Sequence, residues 1–341
     1  LKIAVDAMGG DFSPREAVRG GLQAAAEKNL QIIFVGREEE IKEELAAAGY
    51  QGEAHALVSI VDAPEVITMD EHPATAVRKK RNSSIVVANR LVKEGAADAV
   101  VSAGNTGAAM AASLLTLGRI PGIARPAIAI PMPTLRGATI LLDAGANADC
   151  DPKDLLQFGL MGTVYAEAIM GIDSPQVGLL SIGEEETKGN RLVLESHQLF
   201  KKSSLNFIGN IEGQELPKGL CDVAVCDGFV GNIVLKLTEG VAGVFLQQFK
   251  EILTGSLRGK TAALLIKAGL QSLRNRLDYA EYGGAPLLGV QGITIISHGR
   301  SKARAFKNAV LFGAKAVEEG LIDRIRQAIE DYRGLGKKVK E

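Results

Sequence analysis

"AVVSAGNTGAAM" (residues 99–110) passes from a run of apolar residues through a Ser-Ala-Gly-Asn-Thr-Gly corner into small helix formers. The run is apolar at successive positions, so both its faces must be covered, as in a parallel sheet packed between helices. A one-sided antiparallel strand would alternate with polar residues. Glycine permits the tight corner, and the alanines beyond it favour a helix. Strand, glycine corner and helix form the repeating unit of an α/β fold.

The unit recurs along the chain. "KIAVDA", "QIIFVG", "ADAVVSA", "PAIAIPM", "ATILLDAG", "QVGLLSIG", "LNFIGN", "VAVCDG" and "ITIISHG" are short apolar runs separated by longer helical patterns. Helix starts are marked by Ser13-Pro14, Asp151-Pro152 and Ser301. The pattern predicts an α/β fold, a three-layer α/β/α sandwich around a mostly parallel, doubly wound sheet. No repeat, low-complexity tract or Gly/Ser linker divides it, so one domain over residues 1–341 is expected. Residues 233–280 break the alternation with a long helical stretch, read as an inserted helical hairpin. Within it Ala263, Ile266, Leu270, Leu273 and Leu277 make an apolar stripe at helical spacing. Between Glu251 and Asp278 there is no acidic residue, while Arg258, Lys260, Lys267, Arg274 and Arg276 are all basic.

Composition bounds the function. The chain has 341 residues, 46% hydrophobic and 23% charged, with 39 Lys and Arg against 40 Asp and Glu. That is enough chain for a sizeable core, and no overall charge steers it to nucleic acid. Cys150, Cys221 and Cys226 lack the spacing of a zinc site or a disulfide framework and read as buried thiols in a reducing compartment. No segment has the uninterrupted apolar length of a membrane span, and "LKIAVDAMGGD" has no signal-peptide pattern, so a cytosolic protein is expected.

In a parallel sheet ligands sit at the carboxyl ends of the strands, where loops open into helix N-termini. Glycine-bearing turns stand there at "DAMGGD" (6–11), "SAGNTGA" (102–108), "DAGANAD" (143–149), "GEEETKGN" (183–190), "DGFVGN" (227–232) and "SHGRSKA" (297–303), with "YGGAPLLG" (282–289) preceding a run. Gly104 and Gly107 let backbone approach an anion, and Ser102, Asn105 and Thr106 add short donors. The plainer alternative is that Asn105 or Thr106 caps the helix. Walker, dinucleotide-fingerprint, zinc-protease and nucleophile-elbow patterns are absent. Of the histidines, His298 alone stands in a glycine-flanked strand-end loop. Lys188, Asn190, Asn232, His298 and Arg300 gather at strand ends, a set suited to holding an anion and stabilising an oxyanion. Lys188 reads equally as a solvated loop lysine, and Asn232 as a helix cap.

At "IAVDAMGGD", "SAGNTGA", "LLDAGAN", "GEEETKGN", "DGFVGN" and "YGGAPLLG" the chain resembles the bacterial phosphate acyltransferases of phospholipid synthesis, the PlsX family, over nearly its whole length. The resemblance implies a fold related to phosphotransacetylases and isopropylmalate-type dehydrogenases, and a homodimer. It also implies transfer of a long acyl group from acyl carrier protein to inorganic phosphate, with the product consumed by a membrane glycerol-3-phosphate acyltransferase. Through "ETKGN" and "GFVGN" it implicates Lys188 and Asn232.

The mechanism that fits has Lys188 and the backbone around Asn105, Thr106 and Gly107 holding phosphate, His298 or Arg300 as a further donor, and Asn232 on the carbonyl oxyanion. No metal or organic cofactor is required. The basic residues Arg258 to Arg276 suit the acidic carrier, or an anionic membrane surface that would place the enzyme on the inner face of the cell membrane. The stripe beside them fits a second subunit equally well. The rivals are transfer from acyl-coenzyme A, an oxidoreductase of the isopropylmalate dehydrogenase fold with Asp143, Asp149 and Asp151 as its metal cluster, and a non-catalytic adaptor.

Overall fold

The computed structural model describes the chain apart from residues 51–56, 257, 259, 267–268, 270–282 and 339–341. The first half builds strands β1 (Lys2–Asp6), β2 (Gln31–Gly36), β3 (Val58–Asp62) and β4 (Ala99–Ser102), with helices α1 (Arg15–Lys28), α2 (Glu38–Ala47), α3 (Pro73–Lys79), α4 (Ser84–Lys93) and α5 (Thr106–Thr116). Strands β5 (Ala127–Ile128), β6 (Ile130–Thr134) and β7 (Gly137–Leu142) lead to α6 (Pro152–Tyr165), which runs on as a π-turn over Ala166–Met170. Then come β8 (Val177–Ser181), α7 (Arg191–Lys201), β9 (Phe207–Glu212), β10 (Val223–Val225) and α8 (Gly228–Thr254). The chain closes with β11 (Ala285–Leu288), β12 (Ile293–Ile296), α9 (Ala303–Glu318) and α10 (Leu321–Lys338).

The α/β expectation holds, with the strands shared between two sheets where one was expected. The first runs β3-β2-β1-β4-β12-β11-β5, the second β6-β7-β10-β8-β9. Both are mostly parallel; β11 runs against both of its neighbours, and β6 against β7. The division falls inside "PAIAIPM", read as one strand. Ala127–Ile128 pairs with β11, Ile130–Thr134 pairs with β7, and Ala129 lies between them. Strands β3 and β11 were not read as strands: β3 is an edge strand, and β11 carries Pro286 behind two glycines.

The doubly apolar runs are explained by two-sided burial. Ile3, Val5, Ala99 and Val101 point into one core with Val18, Phe306 and Val310 of α1 and α9. Their neighbours Ala4 and Val100 point into another, with Val87, Ala88 and Ala109 of α4 and α5. In the second sheet Ile140, Leu179 and Val225 pack on Phe158 and Phe200 of α6 and α7. Its other face, with Leu141, Leu180 and Ala224, is covered in part by Val230 and Val234 of α8. Asp151 caps α6 in a capping box with Asp154, and Pro152 opens the helix, as the sequence predicts. Cys221 and Cys226 are buried as expected, and Cys150 is half-buried.

The long helical stretch begins at Gly228, earlier than residue 233, and helix resumes at residues 260–266. Beyond its first turns α8 stands away from the sheet, with Gly228 and Gly231 its buried residues. It is long and apolar enough, by length and composition alone, to cross a membrane, which corrects the expectation that no segment reaches that length. Phe229, Ile233, Leu237, Val241, Phe245, Phe249 and Ile252 form an exposed stripe, from 45% to 72% accessible, that the sequence reading passed over. Arg258 and Lys260 are exposed; Lys267, Arg274 and Arg276 lie outside the described residues.

Candidate active site

The carboxyl ends of β1, β4 and β12 lie side by side, because β1 and β12 both flank β4 in parallel. Their turns interlock: the Asp11 N–H donates to the Gly299 carbonyl at 2.8 Å, and the Ser297 N–H to the Ser102 carbonyl at 2.8 Å. Beneath them Asp6 is buried. Its carboxylate accepts the Ser102 hydroxyl at 2.6 Å and the Met8 N–H at 3.2 Å, and Ser102 Oγ in turn accepts the Gly104 N–H at 3.1 Å. Burial pushes the Asp6 carboxyl above its ordinary range, the hydrogen bonds opposing it. Ser102, expected at the anion, is therefore turned inward, where it sets the shape of the Gly104 corner.

Asn105 caps α5. Its Oδ1 accepts the Ala108 N–H at 3.0 Å, and its Nδ2 donates to the Met69 carbonyl at 3.1 Å. The plainer alternative for this residue is the observed one, with the added effect that the cap ties residues 68–71 to the corner. The Asn105 carbonyl takes the Ala109 N–H, so Thr106 and Gly107 contribute the N–H groups that have no intrahelical acceptor. Both residues line a cleft of about 460 Å³.

Across the cleft stands the end of β7. Buried Asp143 organises residues 143–147: Oδ1 accepts the N–H groups of Ile128, Gly145 and Ala146 at 3.0 to 3.2 Å, and Oδ2 accepts the Asn147 backbone and side-chain N–H at 2.7 and 2.9 Å. Because Ile128 belongs to β5, this carboxylate stitches the two sheets together at the cleft. Desolvation raises its pKa against those donors. Asp143 is thus spent on its own loop and Asp151 on a helix cap. Among the described residues no cluster of three metal-ligating side chains occurs, so the aspartates singled out for a dehydrogenase metal site do not form one.

Helix α8 starts against this loop. Asp227, not Asn232, is its cap, accepting the Val230 N–H at 2.8 Å. A Cβ at Gly231 would sit 1.9 Å from the Asp143 carbonyl oxygen, so only glycine allows the contact. The close approach sets Asn232 beside Gly145 and into the wall of the cleft that Thr106 and Gly107 also line. His298 completes the polar lining; its Nδ1 accepts the Arg300 N–H at 3.2 Å.

The cleft therefore brings together Thr106, Gly107, Asn232 and His298, and leaves out Ser102, Gly104, Asn105, Lys188 and Arg300. Arg300 donates its backbone N–H to His298, is exposed, and is not among the residues lining the cleft. Lys188 is exposed in the loop after β8, whose shape is held by Asn210 donating to the Glu185 carbonyl at 2.9 Å. That loop lies at the same end of the second sheet as Asn232, two strand spacings from β7, or roughly 10 Å. Asn190 caps α7. Sequence reading missed Asp6 and Asp143 as organisers of the corners: each is a strand-end aspartate two or three residues ahead of a glycine, but what it holds is decided by a neighbouring strand.

The fold is shared with known enzymes. A phosphotransacetylase from Streptococcus pyogenes superposes with a TM-score of 0.61 at 19% identity, covering 93% of this chain and 94% of that one. A 4-hydroxythreonine-4-phosphate dehydrogenase from Klebsiella pneumoniae does so with 0.55 at 14% identity, covering 93% and 99%. These likenesses establish architecture, which transacylases and dehydrogenases have in common. Sequence separates them. The fatty acid synthesis protein family matches residues 1–324. The phosphate acyltransferase of Desulforamulus reducens is 55% identical over 335 residues, 98% of this chain and 99% of its own. That of Pelotomaculum thermopropionicum is 56% identical over 338 residues, 98% of each. The chain belongs to the phosphate acyltransferase family of fatty acid synthesis proteins and is an enzyme.

Proposed function

We propose that this enzyme transfers a long-chain acyl group from the thioester of acyl carrier protein to inorganic phosphate, giving acyl phosphate for phospholipid synthesis. The observation that carries the reading is the meeting, in the lining of one cleft, of the α5 N-terminus at Thr106 and Gly107 and of Asn232 from α8. Phosphate docks on the Thr106 and Gly107 N–H groups, where the helix end carries partial positive charge. Holding it in line with the thioester carbon supplies roughly 7 to 11 kcal/mol of the barrier. A phosphate oxygen bonds to that carbon, negative charge grows on the former carbonyl oxygen, and the Asn232 Nδ2 donates to it. The C–S bond then breaks. The proton of hydrogen phosphate ends on the departing sulfur, with His298 within the cleft to relay it. Lys188 closes on the phosphate from the β8 loop, and no metal or organic cofactor takes part.

The carrier supports a docking role for the basic residues Arg258, Lys260, Lys267, Arg274 and Arg276, since acyl carriers are acidic proteins. We assign the exposed α8 stripe to a homodimer contact, with residues 1–341 forming one α/β domain from which α8 stands off beyond its first turns. The same segment holds an otherwise cytoplasmic enzyme at the anionic inner membrane surface, near a glycerol-3-phosphate acyltransferase that consumes its product. The test is incubation with palmitoyl carrier protein and phosphate, with acyl phosphate trapped by hydroxylamine. Wild type forms hydroxamate, and Asn232→Ala lowers turnover about 100- to 1,000-fold. Equal or faster transfer from palmitoyl-coenzyme A replaces the carrier assignment, and full activity of both Lys188→Ala and Asn232→Ala refutes the mechanism.

A further inference from the structure

The same cleft has a second storey. Met110 lies four residues after Thr106 on α5, and Leu235 three residues after Asn232 on α8, so each sits on its donor's face about one 5.4 Å turn away. Ile130 of β6 lines the same cleft. The three come from different elements and are half-buried, each presenting apolar surface to the cleft, which the buried Ile128 and Ile296 also line. Lys236 and Glu239 also line the cleft and are paired with each other at 2.9 Å. An apolar wall that starts one turn beyond a set of oxyanion and phosphate donors matches a linear hydrocarbon chain attached to the reacting carbonyl. A polar acyl substituent laid against Met110, Ile130 and Leu235 would lose hydration to side chains that offer no hydrogen bond.

We propose that Met110, Ile130 and Leu235 form the wall that binds the first methylenes of the acyl chain and selects for unbranched hydrocarbon. The inference rests on the acyl-transfer reading above and assigns residues that reading does not use. Methylenes withdrawn from water along this wall favour long donors over short ones, each worth roughly tenfold or more in kcat/KM where it is fully enclosed.

The experiment compares palmitoyl and butyryl carrier protein as donors for the full chain, wild type and three variants, reading acyl hydroxamate. Met110→Trp and Leu235→Trp fill the second storey from opposite sides. Each is expected to lower the ratio of palmitoyl to butyryl kcat/KM by about tenfold or more, through KM, and Met110→Leu is expected to restore it. Either tryptophan variant, folded by circular dichroism, suffices. A ratio within about twofold of wild type in a folded tryptophan variant overturns the wall while leaving acyl transfer in place. Absence of hydroxamate from wild type with both donors overturns the acyl-transfer reading itself, and the wall with it.

Discussion

The contact between Gly231 and Asp143 offers the sharpest test of how the site is built. A Cβ at residue 231 would lie 1.9 Å from the Asp143 carbonyl oxygen, whereas real Cβ atoms do not come closer than 3.0 Å. Gly231→Ala must therefore open this junction by about 1.1 Å, and both partners are main chain in a buried loop and a helix start, so α8 gives way. Asn232 is the next residue and moves with it. A displacement near 1 Å in a catalytic donor costs about 100-fold in rate, and overpacking of this kind costs roughly 1–3 kcal/mol in stability. Gly240→Ala is the control. It lies in the same helix with nothing within 4 Å of the added methyl, and is expected to gain up to about 1 kcal/mol with unchanged turnover. Hydroxamate formation gives kcat, and urea unfolding gives stability. If folded Gly231→Ala turns over within about threefold of wild type, the position of Asn232 does not govern the chemistry and the reasoning fails.

Three further outcomes follow from the same geometry. Asp6 has a raised pKa in the folded state, so the native protein holds its proton to higher pH than the unfolded chain does, and the Asp6 contribution to stability falls as pH rises above the ordinary carboxylate range. The destabilisation caused by Asp6→Asn is therefore larger at about pH 4 than at about pH 7, and urea titration at the two values checks it. Asn105→Ala removes the α5 cap and its tie to Met69, and lowers stability by about 1 kcal/mol in the same assay. The thiols of Cys150 and Cys221 are pushed up to about 12 by burial, and burial also raises that of Cys226 well above the ordinary thiol range. A maleimide at about pH 8 should label native protein slowly, unfolded protein quickly, and should not abolish activity before unfolding.

What could be read from the chain follows physical range. The strands around "VDAM", "VVSAG" and "ILLDAG" were legible because burial on both faces leaves a local record, as were the Asp151-Pro152 helix start and the corner at Gly104 and Gly107. The exposed stripe of α8 was present in the residues too, at three- and four-residue spacing, but only lack of a covering element distinguishes it from core. Ser102 and Asn105 were read as donors to a ligand, being short polar residues at a strand end. Their partners, Asp6 and the residue 68–71 backbone, are remote in the chain and took those hydrogen bonds first.

The sequence by itself determined the class of fold and the family, because each depends on patterns within a few tens of residues. Tertiary structure alone decided that the strands part into two sheets at Ala129. It also decided that Asp143 joins the sheets, that Asn232 and Thr106 line one cleft, and that the Lys188 loop stands two strands from β7. Pairings of that kind are settled by which strand ends pack together, and no local pattern records them.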